Sequence, residues 1–264
     1  MRKEIEATAL FVDIRNFTGQ LKECNQSDKF IDLIEKTYSC GLITAINIVG
    51  NKNLYINSTG DGFLLILFGK DHYLSGFLTA LVLQKKLTVL FENTRVPKTS
   101  SDYYFGIGLE SGYVKEVQAK YQKHVIKTYL GNVINISSRL ESLTKDYFRA
   151  PILYGPEINE LLVKNLLKKN SYKEMMEKAK SAKNTEEAEK LHTEMTKINS
   201  RLLSSYLFEH KLKGVDEPIP TFRISPTLFN TQKEEFKNFI DLLPSKLKLV
   251  ILKELEFDSV KKFV

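Results

Sequence analysis

The pattern of hydrophobic and polar residues predicts strands and helices mixed along one chain. Apolar runs rich in strand formers predict strands, and apolar residues at helical spacing predict helices. The predicted strands are 7–13, 103–110 and a pair around 113–130, with a β-hairpin over 53–69, and the predicted helices are 27–49 and 72–94. The first helix carries an apolar stripe of Phe30, Ile31, Ile34, Tyr38 and Leu42. This order predicts an α/β (α+β) fold close to the ferredoxin-like plan, with a mixed sheet and helices on one side.

Residues 156–205 differ in composition from the region before them. From Tyr172 to Leu203 the chain is rich in Lys, Glu and Ala and lacks Gly and Pro, and the stretch from Asn184 to Glu187 is typical of a helix start. We therefore expect a helical hairpin, inserted into a domain of residues 1–224. Such an insertion either extends a dimer surface or is a solvated decoration.

A C-terminal extension is predicted for residues 225–264. It contains Pro226 and Pro244 and a basic, apolar end at 246–264, which we expect to pack on the core as a helix. Amphipathic membrane attachment is the alternative. Residues 247–252 are, however, too continuously apolar for a helix with one clean apolar face.

Composition narrows the class of protein only slightly. The 264 residues suffice for one large domain with insertions, and Cys24 and Cys40 have neither metal-site nor disulfide-framework spacing, which favours a reducing cytosol. No signal peptide is visible, and apolar runs such as Phe63–Phe68 are too short to span a bilayer. We therefore expect a cytoplasmic protein without stable membrane insertion. The net charge of +7 suits a polyanionic substrate, although lysines that cover the inserted helices account for most of it.

Two acidic residues occupy positions where predicted strands end. Asp13 ends the first strand, and Asp61 lies in the hairpin turn Thr59–Gly62. Carboxylates at the ends of strands that lie side by side provide the paired acidic seat that two-metal phosphoryl chemistry needs. An Asp-assisted turn and an ordinary Asp-Gly hairpin are the purely structural alternatives.

Other polar residues suit phosphate and sugar binding. Asn16, Phe17 and Thr18 lead towards a helical stretch, whose free backbone N–H groups favour an anion such as phosphate. Asn135 and Arg139 are four residues apart in a helical run, so both project from one face. A guanidinium fits a phosphoryl group and an Asn can orient a sugar. A solvated Arg and a helix-capping Asn are the alternative.

The ordered segments Phe11–Thr18, Thr59–Phe63 and Val133–Leu140 resemble the catalytic domain of class III nucleotidyl cyclases. The resemblance covers about residues 5–155 and a return near 208–224. It implies that Asp13 and Asp61 bind two divalent cations, Mg²⁺ or Mn²⁺, with Ile14 in the same metal site. The implied reaction converts a nucleoside triphosphate to a 3′,5′-cyclic nucleotide and pyrophosphate. The implied assembly is a homodimer with active sites at the subunit interface. No nucleic acid partner is expected.

The same resemblance implies roles for four further residues. Asn135 corresponds to the ribose anchor and Arg139 to the transition-state stabiliser. The sequence Leu212-Lys213-Gly214 matches a late motif of the family and makes Lys213 a candidate for binding the triphosphate. Lys123 aligns loosely with a basic phosphate contact of some members.

Base selection is where the chain departs from the family pattern. Adenylate cyclases carry Lys where this chain has Asn57, and Asp or Thr where it has Thr128, whereas guanylate cyclases carry Glu and Cys. The Asn57 amide can accept a hydrogen bond from a ring N–H and donate one to a carbonyl, which suits uracil. With the amide group turned over, it suits cytosine. Tyr55 faces the same side of the strand and either narrows the base pocket or packs against neighbouring residues.

We therefore expect a pyrimidine triphosphate as substrate, UTP before CTP, as in the cyclases of bacterial antiphage (Pycsar) systems. Thr128 favours an adenylate cyclase as the alternative. An inactive cyclase-like interaction module is a second alternative, but the presence of both acids together with Asn135, Arg139 and Lys213 argues against it.

Overall fold

The fold is described by a computed structural model for residues 3–15, 28–94, 104–121, 124–147, 151–182, 184–224 and 234–255. Its strands are β1 (Glu4–Ile14), β2 (Leu54–Ser58), β3 (Gly62–Phe68), β4 (Phe105–Tyr121), β5 (His124–Leu130), β6 (Ile152–Tyr154), β7 (Ser204–His210) and β8 (Ile219–Ile224). Its α-helices are α1 (Asp28–Val49), α2 (His72–Asn93), α3 (Asn132–Leu143), α4 (Pro156–Leu161), α5 (Tyr172–Lys180), α6 (Thr185–Arg201), α7 (Glu234–Leu242) and α8 (Ser245–Leu255). A 3₁₀ turn (Asn51–Asn53) precedes β2, and a π-helical turn (Leu162–Leu166) continues α4.

The eight described strands form one mixed sheet, as predicted. The strand order is β2-β3-β1-β4-β6-β8-β7, and β5 pairs with the distal part of β4. The β4–β6 pair is parallel and the other described pairs are antiparallel. The β1–β3 register opposes Asp13 to Gly62, so the end of β1 lies beside the start of β3.

Helices cover both faces of this sheet rather than one. Leu10 and Val12 of β1 join a large core with α1, α2 and the later helices, whereas Ala7 and Ala9 face the side on which α3 packs. The predicted placement of helices on one side is therefore wrong for α3. Helix α3 can pack closely on the sheet because Gly108 of β4 has no side chain. A Cβ at this position would lie 2.1 Å from the backbone nitrogen of Glu141 in α3.

Strand β4 is longer than the sequence predicts. A break at 111–112 was expected, but β4 continues from Phe105 to Tyr121. Pairing with β1 extends through Gly112 to Lys115, and β5 then takes over as the partner of β4 from Lys115 onwards. Because β4 has a hydrogen-bonded neighbouring strand along this whole length, it remains a strand across the predicted break.

The helical hairpin is formed by α5 and α6. Asn184 caps α6 by accepting a hydrogen bond from the Glu187 N–H at 2.8 Å, at the predicted helix start. The hairpin buries one face in the main core, and the buried residues are Tyr172, Met175, Met195, Ile198 and Leu202. Its outer face is exposed, so the insertion is part of the core on one side only.

Helix α8 packs against α1 and α2 through a buried ion pair. The Lys86 and Glu254 side chains are 3% and 6% exposed and are in direct contact. The Asn47 amide donates to the second Glu254 oxygen at 2.7 Å, and Ile251 is buried beside them. Removal of one partner from such a pair would leave a buried charge, at a cost of about 3–5 kcal/mol.

Helix α2 has the length and hydropathy of a membrane span, which the short apolar runs did not suggest. In its most apolar 18-residue window, 83% of the helix is buried inside the structure. Phe77, Leu81 and Leu83 lie in the main core. The helix is therefore occupied by protein contacts on nearly all sides, as a core helix is.

Glu110 is a buried carboxylate that links β4 to α4. It accepts hydrogen bonds from the Ser111 N–H at 2.8 Å and from the Ile158 N–H of α4 at 3.2 Å. Burial raises the pKa of Glu110 to about 7, against 4.5 without burial. The native state thus holds this proton more tightly than the unfolded chain, and the resulting stability is present below pH 4.5 and lost as the pH rises through about 7.

We expect Glu110→Gln to flatten the pH dependence of stability, because the amide keeps an acceptor oxygen and cannot ionise. Between pH 5 and pH 8 the free energy of unfolding should fall less in the variant than in the wild type, by on the order of 2 kcal/mol. Urea unfolding at both pH values measures this. Glu92→Gln changes an exposed glutamate of α2 and should behave as wild type. Equal slopes for wild type and Glu110→Gln would contradict the assignment.

Candidate active site

The two predicted metal acids lie next to each other. Asp13 ends β1, Asp61 precedes β3, and the Ile14 N–H donates to the Asp61 carbonyl at 3.2 Å. A Cβ at Gly62 would lie 1.9 Å from the Val12 carbonyl oxygen, so only glycine fits where β3 approaches β1. The β1–β3 pairing therefore brings the two carboxylates to one end of the sheet.

The electrostatics of this pair suit a cation. Burial and then the Asp61 charge raise the pKa of Asp13 above its usual value, while Lys145 and Arg15 act in the opposite direction. The Lys145 ammonium lies 3.6 Å from Asp13. Two carboxylates that disfavour each other's charge are stabilised by a divalent ion between them.

The structure limits which groups can complete a metal site. The Ile14 side chain is 2% exposed in the core, so this residue can offer only its backbone carbonyl. Among the described residues, no cluster of three or more His, Cys, Asp or Glu side chains has metal-binding geometry. A metal site here would therefore rest on Asp13, Asp61 and backbone oxygen, and Mg²⁺ commonly takes its remaining ligands from substrate phosphates and water.

An ion pair missed by sequence reasoning supports this seat. Arg15 is 5% exposed and its guanidinium lies 3.3 Å from the Glu141 carboxylate of α3, with a further hydrogen bond to Thr144. Burial and then the charge of Asp13 raise the pKa of Glu141 to about 7. The pair connects the end of β1 to the C-terminal part of α3. Arg15 lies two residues after Asp13, but no sequence pattern marks it as buried.

Tyr38 of α1 holds the turn that carries Asp61. Its hydroxyl donates to the Gly60 carbonyl, and its ring packs edge-on against Phe63 at 6.1 Å. Burial and the Asp61 charge raise the pKa of Tyr38. Sequence analysis assigned Tyr38 to the apolar stripe of the first helix and missed this polar contact.

Asn135 and Arg139 are exposed on α3. The opposite face of α3 is buried. There the Ser137 hydroxyl donates to the Ala9 carbonyl at 3.0 Å, and Leu140 packs in a small apolar cluster with Leu153 and Leu212. Within the described part of the chain, Arg139 makes no ion pair. Both side chains are therefore presented to solvent, on the helix that ends two residues before Lys145, which contacts Asp13.

The candidate base-reading residues lie on β2 and β5. The Tyr55 hydroxyl donates to the Lys127 carbonyl at 3.3 Å, and its ring packs on Tyr129 at 5.0 Å. Asn57 is exposed on the same face of β2, by strand alternation. Thr128 alternates with Tyr129, so its side chain lies on the other face of β5 from the ring that contacts Tyr55. The structure thus gives Tyr55 a packing role and brings it near the backbone of Thr128.

The remaining predicted residues fall into two groups. Lys213 is exposed in the β7–β8 connection, and the preceding Leu212 is buried in one cluster with Leu140 of α3. This packing places Lys213 beside the helix that carries Arg139. Asn16, Phe17, Thr18 and Lys123 lie outside the described residues.

Comparisons with known proteins show similarity in structure but not in sequence. The chain matches no protein-family model and no curated protein. It is similar to a bacterial light-regulated adenylyl cyclase, with a TM-score of 0.58, 16% identity and coverage of 95% of this chain and 59% of that one. It is also similar to the adenylyl cyclase CyaB from P. aeruginosa, with a TM-score of 0.59, 16% identity and coverage of 89% and 98%.

A guanylate cyclase structure is similar as well. The guanylate cyclase domain of RhGC from Catenaria anguillulae, in complex with GTP, has a TM-score of 0.51, 18% identity and coverage of 84% of this chain and 98% of that one. Adenylyl and guanylyl cyclase domains thus share the architecture described above. The chain has the fold of a class III nucleotidyl cyclase catalytic domain, which confirms the fold class that its motifs indicate.

We expect Mn²⁺ to stabilise the protein through Asp13 and Asp61. At a concentration 100 times the dissociation constant, a ligand adds about 2.7 kcal/mol, which raises Tm by roughly 5–10 °C in a domain of this size. Asp61→Asn should lose most of this increase while its Tm without metal changes little. Differential scanning calorimetry with and without MnCl₂ measures both. Asp32→Asn, an exposed change on α1, should retain the increase. An undiminished increase in Asp61→Asn would place the metal elsewhere.

Proposed function

We propose that this protein is a nucleotidyl cyclase, which converts a nucleoside triphosphate to a 3′,5′-cyclic nucleotide and pyrophosphate. The observation that carries the proposal is the adjacent, partly buried pair of Asp13 and Asp61, where Asp61 contributes to raising the pKa of Asp13. It lies on a fold shared with adenylyl and guanylyl cyclases. Helix α3 adds an exposed Asn and Arg on one face, and these side chains can orient a sugar and bind a phosphoryl group.

The chain's own residues would divide the work of cyclisation. Two divalent cations, Mg²⁺ or Mn²⁺, held by Asp13, Asp61 and the Ile14 carbonyl, would neutralise the triphosphate and favour the 3′-alkoxide. The Arg139 guanidinium would hydrogen-bond the α-phosphoryl oxygens as charge develops on them. Asn135 would hold the ribose so that the 3′-hydroxyl lies in line with the bond to the leaving pyrophosphate. Lys213 would balance the charge of that leaving group.

A homodimer explains where these residues lie. In one protomer Asp13 contacts Lys145, just after the end of α3, while Arg139 is exposed on that helix. On one face of β5, Ile126 and Leu130 are 69% and 61% exposed. Apolar side chains this exposed on one strand face favour a protein partner, and a second copy would also supply the exposed Arg139 to the acids.

Base selection is proposed to favour pyrimidines, UTP before CTP, in antiphage signalling. Asn57 is exposed on β2 and free to turn its amide towards a base, and Tyr55 beside it is held by Tyr129 and the Lys127 carbonyl. The Tyr55 ring, held in place on the same face of β2 as Asn57, would restrict the space for the second ring of a purine base. Adenylate cyclisation is the second candidate, favoured by Thr128 and by the similarity to adenylyl cyclase structures.

A reducing cytoplasm is the proposed location. Cys40 is buried in the main core and free, and burial raises the pKa of its thiol to about 11. A thiol in this state is an apolar core residue rather than a reactive or disulfide-forming one. Cys24 lies outside the described residues.

We expect Asp13→Ala and Asp61→Ala each to reduce turnover at least a hundredfold, with circular dichroism unchanged, because each removes a metal ligand at the surface end of the sheet. An equimolar mixture of Asp13→Ala and Arg139→Ala protomers should recover about a quarter of wild-type activity. Half of randomly mixed dimers are heterodimers, and each holds one intact site of two. Product formation by mass spectrometry measures the recovery.

Two controls keep this experiment decisive. Native mass spectrometry with one isotope-labelled variant shows whether subunits exchange, and an Asp13→Ala mixture with Asp61→Ala should not recover activity, since both acids belong to the same half-site. Exchange without recovery in the Asp13→Ala and Arg139→Ala mixture would refute the shared site. Unchanged turnover in both single acid variants would refute the cyclase assignment itself.

We expect UTP or CTP to be cyclised with a higher kcat/KM than ATP or GTP, because a filled pocket rejects a second ring by overlap. Tyr55→Ala should reduce this preference at least tenfold, whereas Tyr55→Phe should keep it, since the ring and its packing on Tyr129 remain. Asn57→Lys should lose pyrimidine turnover without a clean gain of ATP turnover. Competition among the four triphosphates measures the ratios, and a wild-type preference for ATP would overturn the pyrimidine assignment.

A further inference from the structure

A cavity of about 580 Å³ lies where the catalytic domain, the insertion and the C-terminal extension meet. It is lined by Lys70, Asp71, Tyr73 and Leu74 at the start of α2, by Asn165, Leu166 and Lys168 after α4, and by Leu242, Leu243, Pro244 and Ser245 between α7 and α8. Its volume lies in the range of small-molecule sites, which is about 300–1,000 Å³. Three separate parts of the sequence therefore build one concave surface.

This cavity is remote from the candidate active site. Asp61 precedes β3, whereas Lys70 follows it, so the length of the strand separates them. Seven residues at roughly 3.3 Å each give about 20 Å between the two ends. A ligand in the cavity would therefore not overlap with a nucleotide bound at Asp13 and Asp61.

The lining of the cavity carries two ammonium groups, from Lys70 and Lys168, and one carboxylate, from Asp71. Lys70 and Lys168 make no ion pair or side-chain hydrogen bond within the described residues. Asp71 occupies the N-cap position of α2, but its side chain accepts no capping hydrogen bond. The N–H groups of Tyr73 and Leu74, in the first turn of this 22-residue helix, therefore keep their donors available in residues that line the same cavity.

Leucine side chains make another part of the lining apolar. Leu243 is 6% exposed and closes the cavity with Leu242 and Leu166. Tyr73 is also 6% exposed, and Asn165 of the π-helical turn lines the same cavity. The first turn of α2 and the insertion therefore both contribute to its wall.

We propose that this cavity binds a small molecule with one phosphate or carboxylate head group on an apolar or aromatic body. The head group would pair with Lys70 and Lys168 and accept hydrogen bonds from the start of α2, while the body would contact Leu166 and Leu243. The Asp71 carboxylate lines the same space, so Lys70, Lys168 and Asp71 together leave a net charge of +1, which suits one head group better than an extended polyanion such as a triphosphate. Because α7 and α8 form one wall, the bound molecule would strengthen the docking of the C-terminal extension on α2.

The test measures binding of phenyl phosphate, a phosphate on one aromatic ring, by isothermal titration calorimetry without divalent cations. We expect wild type to bind it, and Lys70→Gln with Lys168→Asn together to weaken binding at least tenfold. Asn is chosen because Lys168 has a backbone φ of 54°, which Asn tolerates better than most residues. Lys52→Gln, an exposed lysine of the 3₁₀ turn that does not line the cavity, should bind as wild type.

Further arms separate this cavity from the active site. Arg139→Ala should bind phenyl phosphate as wild type does, and inorganic phosphate should bind at least tenfold more weakly than phenyl phosphate because it lacks the apolar body. The proposal is overturned by absent binding to wild type at millimolar concentration, by equal binding to the double lysine variant, or by loss of binding in Arg139→Ala. Equal affinity for the two phosphates would overturn the assigned apolar body. None of these outcomes depends on whether the protein cyclises nucleotides.

Discussion

The close approach of α3 to the sheet is the constraint on which the candidate active site depends. Gly108 on β4 removes the side chain that would hold the helix away, and the buried Arg15–Glu141 pair then joins the end of β1 to the last turns of α3. With the helix in this position, Lys145 lies 3.6 Å from Asp13 and Arg139 faces solvent. The residues proposed for catalysis on α3 would be misplaced if the helix moved outward by even one side-chain diameter, because the proposed phosphoryl transfer needs aligned groups.

Much of this architecture could be predicted from the sequence, because it rests on short-range patterns. Strand β1, the β2–β3 hairpin and helices α1 and α2 follow apolar periodicity, and their observed bounds differ from the predicted ones by three residues at most. The adjacency of Asp13 and Asp61 also follows from local rules, since a tight hairpin beside a strand brings turn residues to that strand's end. The order of the sequence motifs indicated the fold class, and the structural comparisons confirm it.

What sequence reasoning missed depends on contacts between distant positions. Arg15 and Glu141 are 126 residues apart, and no periodicity marks either as buried. Tyr38 fits its helix as an apolar residue, while its hydroxyl contacts a turn 22 residues later. The position of α3 on the opposite face of the sheet depends on glycines of β4, whose meaning emerges only when the helix that they accommodate is known. Packing partners of this kind are set by tertiary structure rather than by local preference.

The ion pair between α2 and α8 has a consequence for how the chain matures during synthesis. Lys86 lies in the middle of α2, and the carboxylate that accompanies it in the core, Glu254, is 168 residues further on. A ribosome adds residues at about 5–20 per second, so α2 emerges many seconds before α8. During this interval the α1–α2 layer exposes the apolar surface that Ile251 and Leu255 later cover. Apolar surface exposed in this way makes the incomplete chain prone to aggregation until α8 has been synthesised.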